Sequence, residues 1–112
     1  MNAQARGAVG VIIYSDPQQD GPDIGPAYPQ GGWRPASAVQ RGSVVFNSLC
    51  AGDPSRAAAD RPVEEICGYS LEELRPVIPV MPISYGDAEP LLRALGGAPA
   101  PDESFQGGLN FT

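Results

Sequence analysis

Side chains able to act as nucleophiles, general bases or metal ligands are few in this sequence. Its 112 residues include two cysteines and no histidine. Without histidine the chain cannot form a Ser-His-Asp or Cys-His catalytic site, and two cysteines are too few for a four-thiolate zinc site. The adjacent glutamates at 64–65 and 72–73 diverge on a helix and indicate a solvated face. We therefore expect no catalytic residue, metal site or cofactor within this chain.

The charge balance excludes a second group of functions. Thirteen acidic residues stand against seven basic ones, all arginine, which gives a net charge of −6. A negative chain without a basic cluster is not expected to bind nucleic acid or anionic lipid. The sequence also contains neither a signal peptide nor an apolar run approaching the roughly 18 residues of a membrane helix. Composition alone leaves the localisation unknown.

The two cysteines, Cys50 and Cys67, enclose a short stretch of chain. Two cysteines neither prove nor exclude a disulfide. Two unpaired buried thiols are the favoured interpretation, because free cysteine behaves as a small buried hydrophobe, and pairing stays open. Asn110 begins an N-glycosylation triplet that matters only in a secreted chain.

The first half of the chain predicts a strand followed by a long loop. Residues 9–14 form a continuous apolar, β-branched run that is typical of a strand covered on both faces. Ser-Asp-Pro ends this strand, and residues 18–38, rich in glycine and proline, predict a loop. Tyr28 and Trp33 lie inside the loop. They either pin it to the body of the protein or line an interaction surface.

The second half predicts one clear helix between extended segments. Residues 44–46 suggest a short strand, and the prolines at 76, 79 and 82 favour an extended or edge-strand path over 77–84. Within 84–97, apolar residues recur at helical spacing, and Pro90 favours an N-cap at Gly86 or Asp87 rather than Ser84.

Two shorter patterns complete the expected elements. Ser70 with Glu73 indicates a capping box, and 103–112 suggests a last strand. The elements together predict a small mixed α/β unit.

The order of several segments resembles a known family. These are NAQARGAVGVIIYSDP at 2–17, VQRGS at 39–43, AGDP at 51–54, IPVMPIS at 78–84, the helical segment 87–97 and FQGGL at 105–109. They resemble the protease-associated (PA) domain of the glutamate carboxypeptidase II and transferrin receptor group. The resemblance implies a partial PA domain over 1–112, the C-terminal two-thirds of a swivelling β/β/α sandwich. It would have a mixed sheet with one or two flanking helices, and no peptidase domain is present.

The resemblance also implies a function within a longer parent protein. There the PA domain closes the substrate pocket of a zinc peptidase, or recognises substrate, while zinc is held by a separate peptidase domain. Arg41, Gly42 and Ser43 match the family's Arg-Gly-Asn, whose Asn hydrogen-bonds the glutamate of the substrate. Ser43 keeps a hydroxyl donor but is shorter, so glutamate preference stays open, as does the alternative of a plain turn.

Partners and location are likewise implied by the resemblance. The expected partners are the parent's peptidase domain, a peptide or acidic dipeptide, and a second copy of the parent in a homodimer. The parent is expected to be membrane-anchored, extracellular or in the endomembrane lumen. The alternative functions are a stand-alone PA-type interaction module and a non-enzymatic ectodomain like that of the transferrin receptor.

Overall fold

The helices and strands of this protein are short. The computed structural model describes residues 1–42, 44, 46–52, 61–98 and 100–109. In chain order the elements are α1 (Asn2–Ala5), β1 (Val11–Ile13), α2 (Pro17–Asp20), α3 (Val63–Cys67), β2 (Val80–Pro82), α4 (Tyr85–Leu95) and a 3₁₀ turn (Glu103–Phe105). The chain divides into two compact units. Unit 1 combines Met1–Ile12 with Gly42–Met81, and unit 2 combines Ile13–Arg41 with Pro82–Thr112.

Strands β1 and β2 pair as a two-stranded sheet. Val11 donates its N–H to the carbonyl of Pro79 at 2.9 Å. Ile83 donates to the carbonyl of Ile13 at the same distance of 2.9 Å. Residue numbers rise together along the two strands, so the pairing is parallel. The predicted strand and the predicted extended proline run are both confirmed, in shorter form.

The apolar residues around β1 are far more exposed than the sequence suggested. Val9 is 91% exposed, Ile12 55% and Ile13 50%. The prediction of a strand covered on both faces is therefore wrong for this chain. A continuous apolar run indicates that both faces suit burial, but covering them requires further elements. Within the described residues, β1 has a single neighbouring strand.

Unit 1 is organised around a small core that includes a disulfide. Cys50, Val63 and Leu74 are buried together, and Leu49, Cys67 and Leu71 pack against them. Cys50 and Cys67 are bonded, with their Cα atoms 5.6 Å apart. The expectation of two unpaired thiols is thus wrong. Helix α3 ends at Gly68, whose φ of +74° is left-handed and suits glycine.

The predicted capping box at Ser70 is confirmed. The Glu73 N–H donates to Ser70 Oγ at 3.3 Å, and the Ser70 N–H donates to Glu73 Oε2 at 2.8 Å. Donation from the Ser70 N–H, and then from its hydroxyl, lowers the pKa of the Glu73 carboxyl. The resulting turn places Leu74, which is 1% exposed, in the core of unit 1.

A strand was expected at 44–46, next to this turn. Phe46 donates its N–H to the Leu74 carbonyl at 3.1 Å. Neither Val44 nor Phe46 belongs to a strand, however, and Val45 lies outside the described residues. The prediction is wrong for the two residues that the structure describes.

Helix α4 confirms the predicted helix but begins earlier than expected. Its N-cap is Ser84, whose Oγ accepts the Asp87 N–H at 3.0 Å. Pro90 therefore lies inside the helix and cannot donate to the carbonyl of Gly86. The expected cap at Gly86 or Asp87 is wrong because the Ser84 carbonyl already accepts the Ala88 N–H, at 3.0 Å, as the first intrahelical bond. Gly86 lies in the first turn, and its N–H donates to the carbonyl of Ala36 at 3.0 Å.

The predicted loop over 18–38 and the predicted last strand over 103–112 both differ from the structure. The predicted loop over 18–38 overlaps α2, which Asp16 caps by accepting the Gln18 N–H at 2.9 Å. The last strand expected at 103–112 is replaced by the 3₁₀ turn, and 106–109 contains no strand. Turn formation prevails because Asp102 Oδ1 accepts the Ser104 N–H at 2.8 Å. Donation from the Ser104 N–H, then from its hydroxyl, lowers the pKa of Asp102. Residues 110–112 lie outside the described chain.

Across the described residues, every helix falls short of the length and apolar character that spanning a membrane requires.

Removing the Ser84 cap should destabilise α4. We expect Ser84→Ala to lower the free energy of unfolding by about 1 kcal/mol, the usual cost of losing a serine N-cap. Urea denaturation followed by far-UV circular dichroism measures this change. Ser48→Ala is the matched control, because the Ser48 hydroxyl is exposed and makes a long contact of 4.0 Å with the Met1 sulfur. Equal stability of the two variants would contradict the assigned cap.

Candidate functional site

The candidate substrate-binding residues lie in exposed chain. Arg41 and Gly42 are both exposed, and neither belongs to a helix or strand. Ser43 lies outside the described residues. In unit 2, the residue before Arg41 is fixed, because Ser15 Oγ donates to Gln40 Oε1 at 2.8 Å. The end of β1 therefore positions the approach to the candidate motif.

The two aromatic residues of the long loop have different environments. Tyr28 is 72% exposed, whereas Trp33 is 37% exposed. A bridge joins Ala27 and Trp33, and the Tyr28 N–H donates to the Trp33 carbonyl at 2.9 Å. The indole of Trp33 lies against Gly25, where an added Cβ would come within 2.8 Å of Nε1. Trp33 thus closes the loop on itself, and Tyr28 is left available at its surface.

The loop is attached to the rest of unit 2 through Arg34. Its Nε lies 2.6 Å from Asp20 Oδ2 at the end of α2, and its N–H donates to the Asp20 carbonyl at 3.2 Å. The carbonyl of Arg34 accepts the Tyr85 hydroxyl at 3.5 Å. The ion pair is partly exposed and contributes at most about 1 kcal/mol. Together, the contacts of Arg34 determine where the loop packs against α2 and α4.

A close backbone approach supplies the second attachment of the loop. Gly86 donates its N–H to the Ala36 carbonyl, and an added Cβ at Gly86 would lie 2.9 Å from that oxygen. The sequence analysis considered only the aromatic residues as possible attachments of the loop and missed these contacts. No local pattern in the sequence pairs Arg34 with Asp20, or Ala36 with Gly86.

The Asp16 carboxylate joins two segments that are distant in sequence. Its Oδ1 accepts the Gln18 N–H, which caps α2, and the Gly108 N–H, both at 2.9 Å. An added Cβ at Gly108 would lie 2.5 Å from Asp23 Oδ2 and 2.7 Å from the Gln18 nitrogen. The close approach therefore requires glycine. Aspartate before proline is a readable N-cap signal, but the bond to Gly108 has no sequence signal.

An open groove of about 850 Å³ lies beside Asp16 in unit 2. Its lining includes Tyr14, Asp16, Leu92, Arg93, Gln106 and Leu109. Partial burial raises the pKa of the Tyr14 phenol, and the negative charge of Asp16 raises it further, so this group is protonated at neutral pH. Arg93 Nη2 lies 2.6 Å from Glu89 Oε1. Asp16 and Arg93 thus both bond with other groups of the protein, and none of the lining residues named here is an activated nucleophile.

The donor set does not fit zinc. The sequence has no histidine, and both cysteines are consumed by the disulfide. Within the part of the chain that the structure describes, no three His, Cys, Asp or Glu side chains come together as a metal site would require. No metal-dependent step is assigned to these residues.

Comparison with known proteins shows the family. Residues 1–46 match the PA domain model. The chain is 37% identical over 116 residues to a glutamate carboxypeptidase 2 homolog of Caenorhabditis elegans, covering 95% of this chain and 15% of the relative. It is 40% identical over 120 residues to a probable glutamate carboxypeptidase of Arthroderma benhamiae, and this match covers 99% of this chain and 16% of the relative. It is 36% identical over 116 residues to the aminopeptidase NAALADL1 of Rattus norvegicus, and this match covers 97% of this chain and 15% of the relative.

The family-model match and the relatives that cover 95% or more of the chain support a partial PA domain of the group that contains the glutamate carboxypeptidases. This agrees with the resemblance in the order of its segments. The helices and the two-stranded parallel sheet fit a mixed α/β segment of this domain. The chain spans about 15% of the length of these relatives. Their names include both a carboxypeptidase and an aminopeptidase, so similarity alone does not fix a substrate.

Removing the Asp16 carboxylate should release the segments that it joins. In Asp16→Ala we expect the Gln18 and Gly108 amides to exchange hydrogen at least about tenfold faster, because a hydrogen bond to a charged group contributes about 1.5–3 kcal/mol. Asp16→Asn keeps a side-chain oxygen and should retain most of the protection. Hydrogen–deuterium exchange followed by NMR measures both amides.

Asp102→Ala serves as the control for Asp16, because it removes an exposed carboxylate that bonds with Ser104. It should leave the Gly108 amide protected. Full protection of Gly108 in Asp16→Ala, or equal loss in the control, would rule out the assigned contact.

Crowding the indole should displace Trp33. In Gly25→Ala we expect the fluorescence emission to shift to longer wavelength as the ring moves into water, at a cost of about 1–3 kcal/mol. Trp33 is the single tryptophan of the chain, so the signal reports this side chain alone. Gly32→Ala is the matched control, since nothing lies within 4 Å of an added Cβ there. An unshifted spectrum in Gly25→Ala would disprove the packing.

Proposed function

We propose that this chain is the substrate-recognition or lid part of a longer zinc peptidase of the glutamate carboxypeptidase type, and that it is not catalytic by itself. The supporting observation is the 37% identity to a glutamate carboxypeptidase 2 homolog over 95% of the chain. The chain corresponds to 15% of that relative, and it lacks histidine. In this proposal the zinc ligands and the catalytic base belong to the peptidase part of the parent.

The proposed recognition motif is Arg41-Gly42-Ser43. An exposed arginine guanidinium can pair with the carboxylate of an acidic peptide, and a serine hydroxyl can donate a hydrogen bond to the same group. Arg41 is exposed, as a contact with incoming substrate requires. The bond from Ser15 to Gln40 supports this role, because it fixes the chain one residue before Arg41.

The wider framework of unit 2 supports the same role. Asp16 follows Ser15 directly and fastens α2 and the Gly108 segment at the same end of β1. A recognition residue is effective when rigid neighbours limit its movement. In the complete parent we expect the full β/β/α sandwich around this framework, and a membrane-anchored, extracellular or lumenal location.

Substitution at Ser43 in the parent protein tests the recognition role. We expect Ser43→Ala to raise KM for dipeptides with a C-terminal glutamate by about tenfold, since a hydrogen bond to a charged group is lost, and to leave kcat nearly unchanged. Ser43→Asn should lower KM for the same dipeptides. Steady-state kinetics with zinc-loaded parent protein measures both constants.

Ser48→Ala is the control for this series, because Ser48 is exposed and follows in the same stretch of chain. It should match the unchanged protein. Identical KM values in all three variants, or a fall in kcat alone, would contradict substrate recognition by Ser43.

A second candidate function is a PA-type interaction module without peptidase activity. It is favoured by Tyr28, which is 72% exposed on a loop closed by the Ala27–Trp33 bridge. In that case Tyr28→Ala should abolish binding of a purified partner. A Tyr28→Ala protein that keeps all its binding and hydrolyses dipeptides normally would exclude this alternative.

A further inference from the structure

We propose that the Cys50–Cys67 disulfide is a redox-sensitive lock on unit 1. Locked, it holds the described residues of the region 46–74 in place; reduced, it releases them while unit 2 stays folded. We call residues 46–52 and 61–74 the locked region. This inference does not depend on the proposed peptidase function.

The disulfide supplies an unusually large part of a small core. Cys50, Val63 and Leu74 are the buried members of the cluster. They are 8%, 6% and 1% exposed, and the other buried apolar side chains of the described chain, Pro17, Tyr85 and Ala88, belong to unit 2. The two cysteines therefore account for a third of the six side chains in the unit 1 cluster.

The secondary structure of the locked region cannot replace the disulfide. Helix α3 has five residues, whereas an isolated helix needs about 12–15 to be even marginally stable. Residues 46–52 are held by turn bonds, such as the Leu49 N–H to the Phe46 carbonyl at 2.8 Å. The bond from the Phe46 N–H to the Leu74 carbonyl, at 3.1 Å, ties this stretch to the capping-box turn.

The two sulfurs differ in how open their residues are to an attacking thiolate. Cys67 is partly exposed, and Cys50 is buried. A dithiol reductant would attack the sulfur of Cys67, which forms a mixed disulfide and releases Cys50 as a thiolate that takes up a proton. The second thiol of the reductant then displaces Cys67 and leaves as a cyclic disulfide. Two electrons and two protons pass to the chain, and the reductant is oxidised.

The consequence is a requirement on the compartment in which the protein works. Thiol-rich compartments keep such cysteines reduced, and oxidising compartments keep them joined as a disulfide. Residues 50 and 67 are separated by 17 positions, and closing a loop of about 15 residues contributes about 100-fold to the folding equilibrium. Unit 1 is therefore expected to be ordered outside the cytosol and loosened inside it.

Hydrogen exchange with and without dithiothreitol tests the lock in the complete protein. After reduction, verified by alkylation and mass, the Phe46 and Leu74 amides should exchange about 100-fold faster. The Gly86 and Gly108 amides of unit 2 should keep their protection, because their acceptors are Ala36 and Asp16. The Cys50→Ser, Cys67→Ser double variant should show the exchange rates of the reduced protein, and dithiothreitol should not change them.

Three results would overturn the proposal. One is unchanged exchange at Phe46 and Leu74 after both cysteines have been reduced. Another is equal loss of protection in unit 2, which would indicate global unfolding instead of a local release. The third is alkylation of both cysteines without reductant in protein produced under oxidising conditions. If the double variant fails to fold, the dithiothreitol titration of the unchanged protein still decides.

Discussion

Six apolar side chains are buried in the residues that the structure describes: Pro17, Cys50, Val63, Leu74, Tyr85 and Ala88. So small a buried set releases too little free energy to order long loops by packing alone, because each ordered residue costs about 1–2 kcal/mol of backbone entropy. Each unit therefore relies on bonds made at defined points. In unit 1 these are the disulfide and the capping box; in unit 2 they are the contacts of the Asp16 and Asp20 carboxylates. The candidate recognition motif is adjacent to this framework through Ser15 and Gln40.

The elements that could be predicted from the sequence are those whose signals lie within one segment. Helix α4, the Ser70 capping box and the two short strands are of this kind. The N-cap of α4 differs from the predicted one because the cap bonds of Ser84 outweigh the single helical bond that Pro90 removes. Periodicity showed which face of α4 suits burial, but it does not show whether anything covers that face: Leu91 and Leu95 are 51% and 77% exposed.

The candidate site was predictable to a smaller degree. Asp16 could be identified as a helix cap, whereas its bond to Gly108 depends on how the chain folds back in three dimensions. That bond joins two of the segments on which the family resemblance rests. The recognition role of Arg41-Gly42-Ser43 rests on similarity and on the exposure of Arg41 and Gly42.

If this chain serves a longer zinc peptidase, as proposed above, the transcript must encode the remainder of that enzyme. Sequencing the transcript on both sides of the segment therefore tests the proposal. We expect one open frame that continues into a region encoding histidine, aspartate and glutamate residues able to bind zinc. Stop codons immediately flanking the segment, or a long frame without such ligands, would contradict it.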